Sequence, residues 1–487
     1  MDISNIKERY RNSTKIQELA KGAFWSMLGS FLSKGLIFLV WILIGRILGS
    51  EGYGTFGIIR NTAIMFASFA GMGLGITAAK FVAEYSKTDI ERASRIIGLT
   101  LSFGLFMGVV IGIAVFFLSP WIAEDMLHAP ALTDDMRISS LILFLNSFNG
   151  AQIGALQGLQ AFKRIATINV AQSLVSAPVF IVGAYYWGVR GSVWAFAFYS
   201  IIVCFFAYIA IRKELRNKNI RVSYSESWKE RSVLLSYSFP AFLSGLMVTP
   251  LKWISDVIVV NSPNGFHQMG IFTAALTFNV VFLMVVNMLD APFLAVLSKN
   301  KGESVNSQFN RFNIIAPWAL GIIVISPFLV FPEIGSWLFG KSYAGNDFNW
   351  TFIFVLLFTL IIMYEQGTSR LLAVYNMFWI GVLSNAVWGI TLLICVMLLR
   401  GYGAVGLGIS YVIAYIGISV FQLPIFYKKN LIPTHTIFSK YAAALWIAII
   451  LIVVQNILSL SLIIRGILLV LYYILIANII LKYIKQN

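Results

Sequence analysis

Apolar runs of membrane-spanning length recur from one end of the chain to the other, parted by short polar or basic breaks. Fourteen are legible, at residues 22–45, 56–79, 96–118, 137–156, 165–186, 192–211, 232–260, 269–290, 312–331, 351–367, 376–399, 402–426, 441–460 and 463–481. About 20 apolar residues cross a bilayer as a helix, because in hydrocarbon every backbone N–H and C=O must be satisfied within its own segment. The pattern therefore predicts an all-α polytopic membrane protein; the runs at 137–156 and 351–367 are the shortest or most polar. Composition agrees, since 59% hydrophobic and only 11% charged residues leave more apolar surface than a soluble core can use. A basic stretch precedes the first run, as in a signal peptide. That run is too long and lacks a small-residue cleavage site, so it reads as an uncleaved first span.

In a soluble protein the net charge of +16 would suggest nucleic acid. Here the positions of the basic residues exclude that reading, because 27 of the 36 Lys and Arg fall on alternate loops. Such a bias marks the cytoplasmic side, so an even number of spans is expected with both termini cytoplasmic and with anionic membrane lipids as neighbours. Lys34, Arg60 and Lys252 lie inside the runs as intramembrane cations, whereas Arg137 and Arg465 stand at the outer ends of theirs.

The chain also reads as a duplication. Gly54-Thr55-Phe56 matches Gly270-Ile271-Phe272 at an offset of 216, and Gly188-Val189-Arg190-Gly191 matches Gly403-Ala404-Val405-Gly406 at 215. Two pseudo-symmetric six-helix lobes around a central cavity are expected: residues 1–215, a cytosolic linker at 216–231, then 232–430. Two further spans would occupy 431–487. An even number of spans per repeat puts the relating axis along the membrane normal, with the substrate between the lobes.

The segment Gly45-Arg46-Ile47-Leu48-Gly49-Ser50-Glu51-Gly52-Tyr53-Gly54-Thr55-Phe56 resembles the R-x-L-G-x-x-x-Y-G-x-F loop after the first span of polysaccharide-export flippases. Ala155-Leu156-Gln157-Gly158-Leu159-Gln160-Ala161-Phe162-Lys163 and Ser238-Phe239-Pro240-Ala241-Phe242-Leu243-Ser244-Gly245 support it. These flippases are the O-antigen (Wzx) branch of the multidrug/oligosaccharidyl-lipid/polysaccharide superfamily. The resemblance implies two bundles in an inverted V that alternate between inward-open and outward-open forms in a bacterial cytoplasmic (inner) membrane. It implies an undecaprenyl-pyrophosphate-linked oligosaccharide as cargo for surface polysaccharide. A polysaccharide polymerase and a chain-length regulator are the candidate protein partners, and Na+ or H+ is the candidate coupling ion.

The intramembrane charges are the candidate site. Lys34 lies about 18 Å of helix from the cytosolic end of its run, too far for its stem to snorkel, so it must face protein or a water-filled cavity. Lys252 occupies the equivalent helix of the second repeat, and fixed cations at both would offset the cost of carrying a pyrophosphate through the membrane. The alternative is that each lysine pairs with a carboxylate and holds helices together. Asp256, one turn after Lys252 on the same face, is such a partner, or else a switch that the arriving pyrophosphate displaces. Pro240 and Pro250 favour a bend in that helix. Arg60, one turn inside the outer end of its run, either snorkels or offers phosphate a bidentate contact.

Asp256, Asp290 and Glu365 are the ion-coupling candidates; solvated boundary carboxylates, or a Glu365–Arg370 contact, are the plainer reading. Trp253 suits either sugar stacking or an interface anchor. Cys204 and Cys395 sit in apolar runs and His128, His267 and His435 in loops, so neither a metal site nor a disulfide is expected. No catalytic residues are expected. A polymerase or ligase would carry them on a sizeable outer loop, whereas a cation-coupled drug or metabolite exporter of the same architecture would favour carboxylates over cations in its cavity.

Overall fold

The computed structural model of the chain describes residues 14–239, 242, 247–299, 308–375, 377–432, 440–458 and 460–485. Pro240 and His435 lie outside them. The protein is an all-helical polytopic membrane protein, and among the described residues eight stretches are long and apolar enough to cross a membrane. Three of those stretches, Phe31–Gly71, Phe162–Asn217 and Trp379–Lys428, run to 41, 56 and 50 residues. Each is too long for one crossing of about 20 residues, and each contains a sharp turn.

The elements are α1 (Thr14–Gly71), α2 (Leu74–Tyr85), α3 (Ile90–Trp121), α4 (Thr133–Gly158), α5 (Phe162–Asn217), α6 (Thr249–Val260), α7 (Gly265–Asn287) and α8 (Asp290–Lys299). They continue as α9 (Gln308–Val330), α10 (Glu333–Phe339), α11 (Asn346–Val374), α12 (Phe378–Leu399), α13 (Gly403–Lys428), α14 (Lys440–Ile457) and α15 (Leu462–Lys485). The run at 351–367 that looked short is the core of the 29-residue α11. Polar residues at its ends, Asn346, Asp347 and Arg370, hide its length from a hydropathy reading.

Backbone geometry repeats where the sequence does. Gly188 turns α5 at φ 56°, ψ −134°, and Gly403 opens α13 at φ 53°, ψ −128°. Only glycine enters that region without strain, so the same residue solves the same corner in both repeats.

The chain forms two compact units. Unit 1 comprises Met1–Leu48 and Phe56–Trp253; unit 2 comprises Gly49–Thr55 and Ile254–Asn487. Unit 1 is cored by Val82, Ile96, Ile97, Ala155, Leu156, Ala207 and Ile211 from α2 to α5. Small residues let these helices close up: a methyl on Gly154 would overlap the backbone of Gly75. The polar segment after α5 is fastened to α3. Glu230 bridges Arg92 Nε (3.1 Å) and Arg95 Nη2 (3.1 Å), and Ser223 N–H donates to Ser94 Oγ at 3.0 Å. Unit 2 is held by an aromatic core in which Phe278, Phe328, Phe339, Phe348 and Phe352 interlock, with Phe278 and Phe352 centroids 4.7 Å apart. Its terminal helices are clamped by Arg465, which donates to Glu333 Oε1 (2.8 Å), Glu333 Oε2 (2.9 Å) and the Val330 carbonyl (2.8 Å).

Candidate functional site

In unit 1 the helix surfaces decide where the cations point. Ser33 is buried and its hydroxyl donates to the Asn169 carbonyl at 2.8 Å, within 2.5 Å of Ser173 Oγ, which pins that face of α1 to α5. Lys34, one residue on, is turned about 100° away and is exposed; among the described residues it has no side-chain partner. Gly35 beside it also faces open space. Two helical turns along that same face of α1 stands Trp41, and the Arg60 guanidinium lies 5.0 Å from its ring centroid and 6.0 Å from that of Phe56. The Arg60 Nε is buried without a hydrogen-bond acceptor. Lys34 and Arg60 therefore share one side of unit 1, with about 10 Å of α1 between Lys34 and the indole that carries Arg60.

Lys252 joins them through its neighbour. Trp253 is buried and its indole N–H donates to Thr62 Oγ1 at 2.8 Å, tying the start of α6 to the α1 segment that bears Arg60. Trp253 is thus a structural donor inside unit 1. Neither sugar stacking nor interface anchoring describes it, because the ring is buried at 5% exposure. Lys252 is half-buried and has polar or electrostatic contacts of its own. Asp256 follows one turn later, buried in unit 2 and likewise engaged.

The carboxylates of unit 2 separate into two environments. Asp290, at the start of α8, accepts from Arg370 Nε at 2.8 Å and from Gln366 Nε2 at 3.0 Å, with Arg370 Nη2 2.7 Å away. Arg370 is itself buried, donates to Asn313 Oδ1 at 2.8 Å and lies 5.0 Å from the Phe293 centroid. Asp290 is spent on this network. Glu365 sits one residue before Gln366 on α11 and so faces another way; it is buried and accepts a short hydrogen bond from the Ser419 hydroxyl of α13. Its electrostatic neighbours include Tyr415, while Tyr411, one turn earlier on α13, hydrogen-bonds Ser255 and lies within the field of Asp256. Phe358 and Trp388 pack on both tyrosines. Asp256 and Glu365 thus border one aromatic wall. No group of three metal-ligating side chains occurs among the described residues.

The residues that the sequence did not single out are Gln366, Asn313, Ser419, Tyr411 and Tyr415. Their one signal was spacing: four residues separate Gln366 from Arg370 and Tyr411 from Tyr415, which stacks each pair on one helical face.

The described residues thus place cations on one face of unit 1 and buried carboxylates against an aromatic wall in unit 2. Residues 19–297 match the model of the Polysaccharide biosynthesis protein family, and the chain belongs to that family. It is 22% identical over 399 residues to the EPS I polysaccharide export inner membrane protein EpsE of Ralstonia nicotianae, covering 80% of this chain and 89% of that one. An uncharacterized membrane protein of Methanocaldococcus jannaschii is 22% identical over 434 residues, or 85% of this chain and the whole of that one. Among solved structures, an inward closed lipid II flippase MurJ superposes with a TM-score of 0.67 at 14% identity, over 94% of this chain and 99% of that one. An inward-facing multidrug resistance MATE transporter gives 0.61 at 17% identity, over 84% and 99%. These likenesses establish the fold.

Proposed function

We propose that the chain is a flippase that carries undecaprenyl-pyrophosphate-linked oligosaccharides from the inner to the outer leaflet of a cytoplasmic membrane for surface polysaccharide assembly. The observation that carries this reading is the pairing of Lys34 and Arg60 on one side of unit 1, each with hydrogen-bonding capacity unspent on the protein. A pyrophosphate crossing a medium of low dielectric needs such donors, and an Arg fork beside a Lys point charge supplies both geometry and charge. Lys252 completes the set from α6. In this reading the repeats form two six-helix lobes that alternate access, with both termini cytoplasmic. Asp256 and Glu365 take up the coupling Na+ or H+; Asp290 serves to hold Arg370. The polysaccharide export function printed for the Ralstonia relative and the lipid-linked cargo printed for the structural relative support the same cargo class.

The test is complementation of surface polysaccharide in a host lacking its flippase. Wild type should restore polymer. A well-expressed Lys34→Ala, Lys252→Ala, Arg60→Gln triple variant should leave lipid-linked repeat units accumulated on the cytoplasmic side. Normal polymer from that variant would overturn the cationic mechanism.

A further inference from the structure

Away from the cations, unit 1 has a groove of about 890 Å³ on the surface of α5, where the two arms of that helix diverge from the Gly188 turn. Pro178, Val182, Trp187, Trp194 and Phe198 line it, and Arg190 stands at its rim. The arms can approach because Gly183 and Gly191 meet backbone to backbone, where a methyl on either would overlap the other. Measured from Arg190 to Phe198, the apolar floor runs about 12 Å along the helix, well into one leaflet. Tyr185, Tyr186 and Trp187 are 70%, 70% and 67% exposed beside it, the placement that amphipathic rings take at the headgroup level.

The rim has a particular charge pattern. Arg190 Nη2 lies 3.4 Å from Asp134 Oδ2 and its Nε 3.9 Å from Asp135 Oδ1, while Arg137 Nη1 is 3.5 Å from Asp134 Oδ1. All three contacts, the hydrogen bond that Arg190 donates to Asp134 included, are longer than a good charge-assisted hydrogen bond, so two guanidiniums and two carboxylates balance in charge with bonding capacity left over. The Asp135 side chain is only 12% exposed, yet its Oδ1 has no hydrogen-bond donor, and the buried Arg137 Nε has no acceptor. A neutral rim with a free acceptor and a free donor does not fit a purely anionic headgroup. It fits one that carries both charges. A quaternary ammonium has no N–H to give Asp135, whereas a primary ammonium has three.

We propose that this groove binds one phospholipid of the phosphoethanolamine class, with an acyl chain along Trp187, Trp194 and Phe198, the phosphate on Arg190 and the primary ammonium on Asp134 and Asp135. The lipid brings Asp135 a donor and fills an apolar surface that the two arms leave open.

The probe is a phosphatidylethanolamine with brominated acyl chains, titrated into the full-length protein in mixed micelles and read by tryptophan quenching. Quenching should have a saturable component that disappears in a Trp187→Phe, Trp194→Phe variant. Unlabelled phosphatidylethanolamine should displace the probe about tenfold better than phosphatidylcholine or phosphatidylglycerol with the same chains, the discrimination expected from a hydrogen bond to a charged group. Asp135→Asn should erase the preference over phosphatidylcholine, and Arg190→Gln should weaken binding of all three about fivefold, since an exposed guanidinium gains less than a buried one. Val182→Phe, which fills the groove without touching the rim, should abolish the saturable component. Equal displacement by phosphatidylcholine, or saturable quenching that persists in the double Trp variant, would overturn the proposal. So would a concentration-dependent self-association that removes lipid binding, because the groove would then seat a second copy of the chain.

Discussion

The sharpest expectation concerns Arg60. Its guanidinium rests against Trp41 at 5.0 Å, with its Nε buried and unpaired. A purely structural Arg60 contributes a cation–π contact of about 0.5–2 kcal/mol and bears the cost of the unpaired Nε, so Arg60→Leu would leave stability nearly unchanged. If it binds phosphate, the same change removes charge-assisted hydrogen bonds worth about 1.5–3 kcal/mol, or about tenfold to 150-fold in affinity. Arg60→Lys separates charge from geometry: the ammonium keeps the contact with Trp41 but cannot make a bidentate fork, so it should recover only part of the loss. The assay is equilibrium binding of a short-chain polyprenyl pyrophosphate to the detergent-purified variants, with a thermal unfolding profile of each. Affinity should fall while the unfolding temperature holds. Wild-type affinity in an Arg60→Leu, Lys34→Ala protein would refute the argument, as would an affinity loss that merely tracks unfolding.

Three further outcomes follow from other parts of the molecule. In a Cys-free background, Tyr224→Cys should resist a membrane-impermeant thiol reagent in intact cells while Ser342→Cys reacts; labelling of position 224 from outside would invert the proposed orientation. Glu365→Gln keeps the bond from Ser419 and should abolish ion-dependent transport without loss of folded protein, whereas an unchanged ion dependence would remove Glu365 as the coupling site. Burial opposes ionisation of Glu333, but the hydrogen bonds and charge of Arg465 outweigh it and hold the carboxyl below its ordinary range. A depressed folded-state value means that the stabilisation is present above about pH 4.3, the ordinary glutamate value, and is lost as pH falls through the lower folded one. The gap in unfolding temperature between wild type and Glu333→Gln should therefore be flat above that pH and close on acidification, and a gap that stays constant down to pH 3 would contradict the pairing.

The helices were legible in the sequence because a bilayer imposes one rule on all of them. Which side chains meet was harder to read. Glu365 and Gln366 are adjacent, yet about 100° of helix rotation sends one to Ser419 and the other to Asp290, so the acid that Arg370 takes as partner is Asp290 rather than Glu365. His267, expected in a loop, lies in the first turn of α7, half-buried with its Nδ1 2.6 Å from Ser50 Oγ, a pairing across more than two hundred residues that no local pattern carries. Trp253 was misread for a related reason: in a membrane chain the position of an indole suggests an interface, whereas its N–H finds Thr62 only once α6 is in place.

The fastening of residues 217–230 to α3 alters what a probe placed there would measure. Glu230, held by two arginines, and Ser223, bonded to Ser94, make the segment an extra layer of unit 1. A spin label or fluorophore on exposed Tyr224 would therefore have the narrow orientational spread of a helix-borne reporter. Paired with a second label in unit 2, it would give a distance whose changes reflect displacement of the whole of unit 1.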